Sequence, residues 1–146
     1  MNKQPSLVKI ATIDYAALLG WLSPVVIWGM YVVFIILGNV KTNDFTLPII
    51  FAVITVIALA FLVWRIQIFN TVFSDGIETT ATINNISFFR DRGRVEYVYT
   101  HQGQRYASGN AIMKVKQTQA LKVGEQVVLM IDGNNPKRAF IRDLYT

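Results

Sequence analysis

A chain of 146 residues with 53% apolar side chains and only 16% charged ones has room for one small domain and little else, and is too oily for an ordinary soluble protein of that size. Its net charge of +5 is a modest surplus that does not impose a nucleic-acid function on its own. The absence of cysteine excludes a disulfide framework and any thiolate metal site.

The charges are unevenly placed: between Tyr15 and Trp64 only Lys41 and Asp44 are charged. Residues 1–14 read as an N-terminal tail. Residues 15–38, "YAALLGWLSPVVIWGMYVVFIILG", then run without a charge. About 20 residues cross a ~30 Å hydrocarbon core, so this segment is long enough to span a bilayer. It is also far longer than the ~7–15 residue apolar region of a signal peptide, and no small-x-small cleavage site follows it. Residues 45–64, "FTLPIIFAVITVIALAFLVW", form a second uncharged run bracketed by Asp44 and Arg65. The link "NVKTND" is short and rich in turn formers, which predicts a helical hairpin. Pro48 falls in the first turn of the second helix, where a missing amide proton matters little. Pro24 lies deeper in the first and predicts a kink used for packing.

Past Arg65, Ile66, Phe69 and Phe73 recur at helical spacing beside Ile68 and Val72. The second helix is therefore expected to run on as an interfacial amphipathic extension stopped by Gly76, making residues 15–75 one hairpin unit. Lys3, Lys9 and Arg65 flank the hairpin against Lys41 alone in its link, which favours both termini on the cytoplasmic side. In that topology Asp14 and Arg65 share one interface, where they either pair across the hairpin or are solvated separately. Trp21 and Trp28 are seven residues apart, and with Gly20 and Gly29 they form a candidate contact face toward other helices; lipid-facing tryptophans are the alternative.

From Ile77 the apolar period changes to alternation, which predicts a small all-β domain over residues 76–146. Ile77, Thr79, Ala81 and Ile83 fall on one face and Ile86 and Phe88 in the opposite phase, so a bulge is expected near Asn84 and Asn85. Val95, Tyr97 and Tyr99 alternate in the next strand; the turn "HQGQ" leads to "RYASGNAIM". Residues 114–123 read as a helical turn or irregular crossover. "QVVLMI" is the most apolar strand and is expected at the sheet centre, and "RAFIRDLY" supplies the last. Five strands with a crossover between the third and fourth fit an oligonucleotide/oligosaccharide-binding (OB-like) barrel, with an SH3-like or meander barrel as competitor.

Thr80 to Ile83, Tyr97 and Tyr99, Gly103, Tyr106, Leu121 and Gly124, Asp132, and Asn135 with Pro136 follow a pattern. On these positions the chain resembles an uncharacterised bacterial family of domain-of-unknown-function membrane proteins, which have two N-terminal transmembrane helices and a C-terminal β domain. Ile131 and Gly133 depart from that family's closing Tyr-Asp-Pro motif. The resemblance implies a location and a fold, and carries no catalytic residues.

The only histidine, His101, falls in the expected hairpin turn between Thr100 and Gln102 with no catalytic neighbour in sequence, and reads as a solvent-exposed turn residue. Asp132 and Asn134 mimic the start of a calcium loop, but Pro136, Lys137 and Asp143 stand where a ligand, a glycine and a bidentate glutamate are required. The sequon "NIS" at Asn85 is silent in a cytoplasmic domain. No phosphate loop, nucleophile elbow or acidic cluster occurs, so no cofactor, metal or enzymatic activity is expected.

Ten Lys or Arg against six Asp or Glu lie in residues 76–146. Arg90, Arg92, Arg94, Lys114, Lys116, Lys137 and Arg138 are candidate contacts for an anionic surface, with a scattered solubilising face as the alternative. The reading is an α+β membrane protein of the bacterial inner membrane: a transmembrane helical hairpin followed by a small OB-like or SH3-like barrel. It is expected to act as a non-enzymatic interaction module or accessory subunit, in contact with lipid and with other membrane subunits or its own copies. The alternative is a membrane-tethered OB-like domain that binds nucleic acid, with Tyr97, Tyr99 and Tyr106 as stacking platforms, or another anionic ligand.

Overall fold

The structure is a computed structural model that describes residues 4–39 and 45–146. Lys3, Lys41 and Asp44, which enter the charge argument above, lie outside the described residues, as does most of the hairpin link. Three helices come first: α1 (Leu7–Ile13), α2 (Tyr15–Ile36) and α3 (Thr46–Asp75). The last two are long and apolar enough to cross a membrane. α2 carries Pro24 within it and ends in a Schellman motif: Gly38 takes a left-handed φ of 70°, its amide bonds the Ile35 carbonyl, and the Asn39 amide bonds that of Phe34. α3 ends at Gly76, which turns into extended backbone and must be glycine, since a Cβ there would stand 2.0 Å from the Val72 carbonyl oxygen.

The two long helices pack closely where Gly20 faces α3; a Cβ at Gly20 would sit 3.0 Å from the Cβ of Leu62. Further along, the Trp28 indole donates to Thr55 Oγ1 at 3.0 Å, and Thr55 in turn donates to the Phe51 carbonyl, so both polar groups are satisfied between apolar helices. Trp28, Tyr31 and Phe51 meet edge to face around this bond.

Five strands follow: β1 (Ile77–Phe89), β2 (Arg92–His101), β3 (Gln104–Met113), β4 (Gln126–Ile131) and β5 (Ala139–Ile141). They make one curled antiparallel sheet in the order β3-β2-β1-β4-β5. The β1–β2 register shifts between Ile83 and Asn85. This bulge turns Ala81 and Ile83 before it, and Ile86 and Phe88 after it, to the same concave side. Gln102 and Gly103, both at positive φ, form the tight turn between β2 and β3. The crossover contains the single helical turn α4 (Lys116–Gln119). Thr118 holds it in place by donating to the Met113 carbonyl at 2.7 Å.

The centre of the sheet is β1, with its threonines and asparagines, and the apolar β4 stands next to it. Leu129, Met130 and Ile131 are consecutively buried because that end of β4 is covered on both faces, by the sheet interior and by the elements after it. The last strand is also shorter than its alternation suggested. After Ile141 the chain turns into α5 (Arg142–Tyr145), which carries Leu144 and Tyr145 into the core.

β3 and β5 approach each other without a shared backbone ladder, and side chains bridge the gap. Ser108 donates to the Lys137 carbonyl at 2.8 Å, the Asn110 amide to that of Ala139 at 3.1 Å, and the Tyr99 hydroxyl to that of Pro136. The Tyr97 hydroxyl stands 2.7 Å from Asn110 Oδ1 and 2.6 Å from the Ala139 carbonyl, sharing its one proton between them. Contacts advance together along the two strands, 108 with 137 and 110 with 139, so the seam is parallel.

Two expectations change on the N-terminal side. Residues 7–13, read as part of a tail, form α1, because Ile10 and Ile13 are one helical turn apart and both join the core. The amphipathic end of α3 does not lie open at an interface. Its apolar side, Phe69, Val72 and Phe73, is buried against the sheet and α5. Helices and sheet thus share one core.

The seam supplies two tests. Asn110→Ala removes the amide donor to the Ala139 carbonyl while the Tyr97 hydroxyl keeps its own bond to that carbonyl, and is expected to destabilise the chain by about 0.5–1.5 kcal/mol in denaturant unfolding of the purified protein. Burial also pushes the Tyr97 hydroxyl well above the ordinary tyrosine range. Its contribution is therefore fully present below pH ~10, the unfolded value, and is lost as pH rises beyond it toward the higher folded one. An alkaline titration is expected to show Tyr97 ionising only together with loss of the far-ultraviolet circular dichroism signal.

Candidate functional site

The site is built where α1 hands over to α2. Asp14 lies between them in extended backbone and forms an antiparallel bridge to Ile112 of β3. Its carboxylate caps α2 by accepting the Ala17 amide at 2.8 Å. The same carboxylate takes a two-pronged contact from Arg65 of α3: Nε to Oδ1 at 3.2 Å and Nη2 to Oδ2 at 2.8 Å. Asp14 is 1% exposed and the Arg65 side chain 21%. One residue therefore joins three helices and the sheet, its carboxylate to α2 and α3 and its backbone to β3.

Arg65 is held from its other side as well. Its guanidinium lies 5.2 Å from the Phe69 ring centre and 5.3 Å from that of Phe140. Phe69 stacks on Phe140 at 4.1 Å and packs against Tyr145 at 4.7 Å. Among the described residues the buried Tyr145 hydroxyl finds no hydrogen-bond partner, and burial, reinforced by the Asp14 charge, drives it far above the ordinary tyrosine range. At the edge of this cluster the Ser6 amide bonds the Tyr145 carbonyl at 2.8 Å and Lys9 donates to the Thr146 carbonyl. The first and last described segments are thereby tied together.

The other sequence-selected residues separate into groups. Gly20 and Trp28 face α3 of the same chain, and the Trp21 indole donates to the Ala11 carbonyl at 3.1 Å. Gly29 alone opens outward, with nothing near its Cβ position. The four therefore do not make one face toward another chain, because the hairpin itself uses two and α1 a third. Among the basic residues, Arg90 and Arg92 lie at the β1–β2 tip, and the Lys114 amide bonds the Asp91 carbonyl there. Arg94 pairs with Glu96 at 3.0 Å, and Lys116 opens α4. Lys137 and Arg138 stand on the other side, along a cleft of ≈230 Å³ shared with Trp64 and Arg65. Arg138 reaches Asp132 at 3.7 Å.

Tyr97 and Tyr99 point into the core, and Tyr106 stacks on Tyr99. The rings proposed as nucleic-acid platforms are thus largely spent on packing, as strand residues alternating inward must be. His101 closes β2 beside the turn. Among the described residues no three His, Cys, Asp or Glu side chains converge as a metal site would need. The aromatic cover of Arg65 was not read from sequence. One signal was there: an aspartate immediately before an apolar helical run is a capping signature, and it points to a helix start at Asp14.

Comparison with family models, curated proteins and solved structures finds no match for this chain.

The junction makes a sharp test. Arg65→Met leaves the buried Asp14 charge unpaired and is expected to destabilise by about 3–5 kcal/mol, whereas Asp14→Asn with Arg65→Met keeps the cap and recovers much of that loss. Thermal unfolding of the four proteins of this cycle in one detergent measures the coupling.

Proposed function

We propose that this chain is an integral membrane protein of the bacterial inner membrane with both termini in the cytoplasm. In this reading the hairpin is the anchor, and a small OB-like barrel acts as a non-enzymatic interaction module or accessory subunit of a membrane complex. The observation that carries the reading is the Asp14–Arg65 junction. A module on a flexible tether needs no packed contact with its anchor, whereas here the Asp14 backbone bridges Ile112 of β3 and Arg65 lies against Phe140 of β5, the kind of fixed docking that suits a domain presenting one face to a neighbour.

Membrane placement is supported by the outer surfaces of α2 and α3, where Val25, Val32, Ile36, Val53, Val56 and Ile57 are all at least half exposed. A continuous apolar band on this scale calls for lipid or another helix as cover. A shared side for the two termini is supported by the bonds between Ser6, Lys9 and the C-terminal residues. The OB-like reading, over the SH3-like one, is supported by the strand order, the short helix between β3 and β4, and the parallel seam. The resemblance to the two-span family points the same way.

For a partner, the observation of weight is Gly29. It sits on the outer face of α2 amid Val25, Val32, Val33 and Ile36, and its missing side chain lets a second helix approach closely. The chain is expected to leave the membrane only with detergent and to migrate as an assembly larger than one chain. Gly29→Leu is expected to shift that assembly toward the single chain by native mass measurement. A monodisperse monomer before any substitution overturns the subunit reading.

A further inference from the structure

The tip of the β1–β2 hairpin has a position and a composition that the junction does not explain. At about 1.5 Å per residue, α3 climbs roughly 15 Å from Arg65 to Asp75, away from the apolar part of the hairpin. β1 starts from that height, and its far end comes back down. Arg92, one residue past the turn, donates to the Tyr15 hydroxyl at 2.7 Å, and its guanidinium lies 5.3 Å from the Tyr15 ring centre. Tyr15 is the first residue of α2, so the tip stands at the level where the apolar run begins.

The side chains at the tip are fixed in direction. The Phe88 ring lies across Gly93, where a Cβ would come within 2.4 Å of it, and this holds Phe88 on the concave side. The next residue in the strand must then point outward, and Phe89 is 65% exposed. Arg90 follows with its guanidinium 5.4 Å from the Phe89 ring centre and with a φ of 56°, a left-handed conformation that favours glycine. An arginine kept in strained backbone, beside an exposed phenylalanine, at the foot of an apolar helix, is the arrangement of a residue serving an outside contact. The one acid at the tip is Asp91, whose carbonyl accepts the Lys114 amide; Arg90, Arg92 and Lys114 outnumber it.

We infer that the β1–β2 tip is a third attachment to the bilayer, with Phe89 entering the headgroup–acyl boundary and Arg90 and Arg92 contacting the phosphates of anionic phospholipids. This rests on the membrane-anchor reading and adds to it a lipid preference. An aromatic ring supplies the apolar component, and arginine suits phosphate because its planar donors match the oxygens. With α2 and α3 as the other two supports, three points would define the plane of the barrel against the membrane.

Because the chain has no cysteine, Phe89→Cys can carry one polarity-sensitive fluorophore, with Thr100→Cys at the opposite end of β2 as the control. The full chain is placed in nanodiscs of phosphatidylcholine, with or without phosphatidylglycerol. The label at 89 is expected to shift to the blue in the phosphatidylglycerol discs, and the label at 100 to stay at its aqueous wavelength. Arg90→Gly removes a charge while easing the backbone, so a misfolded turn cannot account for its effect. Combined with Arg92→Gln it is expected to abolish the shift, as is high salt in large part. A label at 89 as wet as that at 100, or a blue shift indifferent to both arginines, overturns the inference. A chain that does not enter the discs at all refutes the anchor instead.

Discussion

The structure turns on the burial of one carboxylate. Asp14 sits where α1, α2 and α3 meet the sheet, and its charge is tolerable there only because Arg65 and the Ala17 amide satisfy it together. The guanidinium is in turn committed to two aromatic rings, one from α3 and one from β5. The pair therefore selects one docking of the sheet on the helices more than it adds net stability. Any sliding of the sheet would separate Phe140 from Arg65 and leave the charge pair less covered.

That constraint explains why the sheet is left only partly closed. The end of α3 fills one side of the concave face with Phe69, Val72 and Phe73, so the interior is completed by helix side chains where a free-standing barrel would use strand residues alone. With the core filled in this way, β5 can be as short as Ala139–Ile141, and the seam to β3 can rely on Ser108, Asn110, Tyr97 and Tyr99. The inward tyrosines thus hold the seam, which removes them from the surface where a ligand-stacking role would require them.

Local features were legible in the sequence because local physics sets them. The two apolar runs, the bulge at Asn84, the turn at Gln102 and Gly103, and the helical turn in the crossover each follow from composition or period over a few residues. The misreadings arise where the decisive contact is distant along the chain. Residues 7–13 are too short to announce a helix and are stabilised by packing against β3 and α5. The final segment alternates like a strand, yet Tyr145 is needed beneath Phe69 and the backbone turns to supply it. Gly20, Trp21, Trp28 and Gly29 lie close in sequence but are divided between α3, α1 and the open outer face of α2, a division fixed by how the hairpin packs.

The tie between Ser6 and Tyr145 bears on the order of events at the ribosome. Phe140 and Tyr145, which complete the cluster over Arg65, are made long after it, and α1 lacks its contact with α5 before then. The helical pair can therefore form early, while Ser6 and Lys9 wait for Tyr145 and Thr146. Docking of α1 and the sheet around Arg65 is accordingly a late event in the folding of this chain.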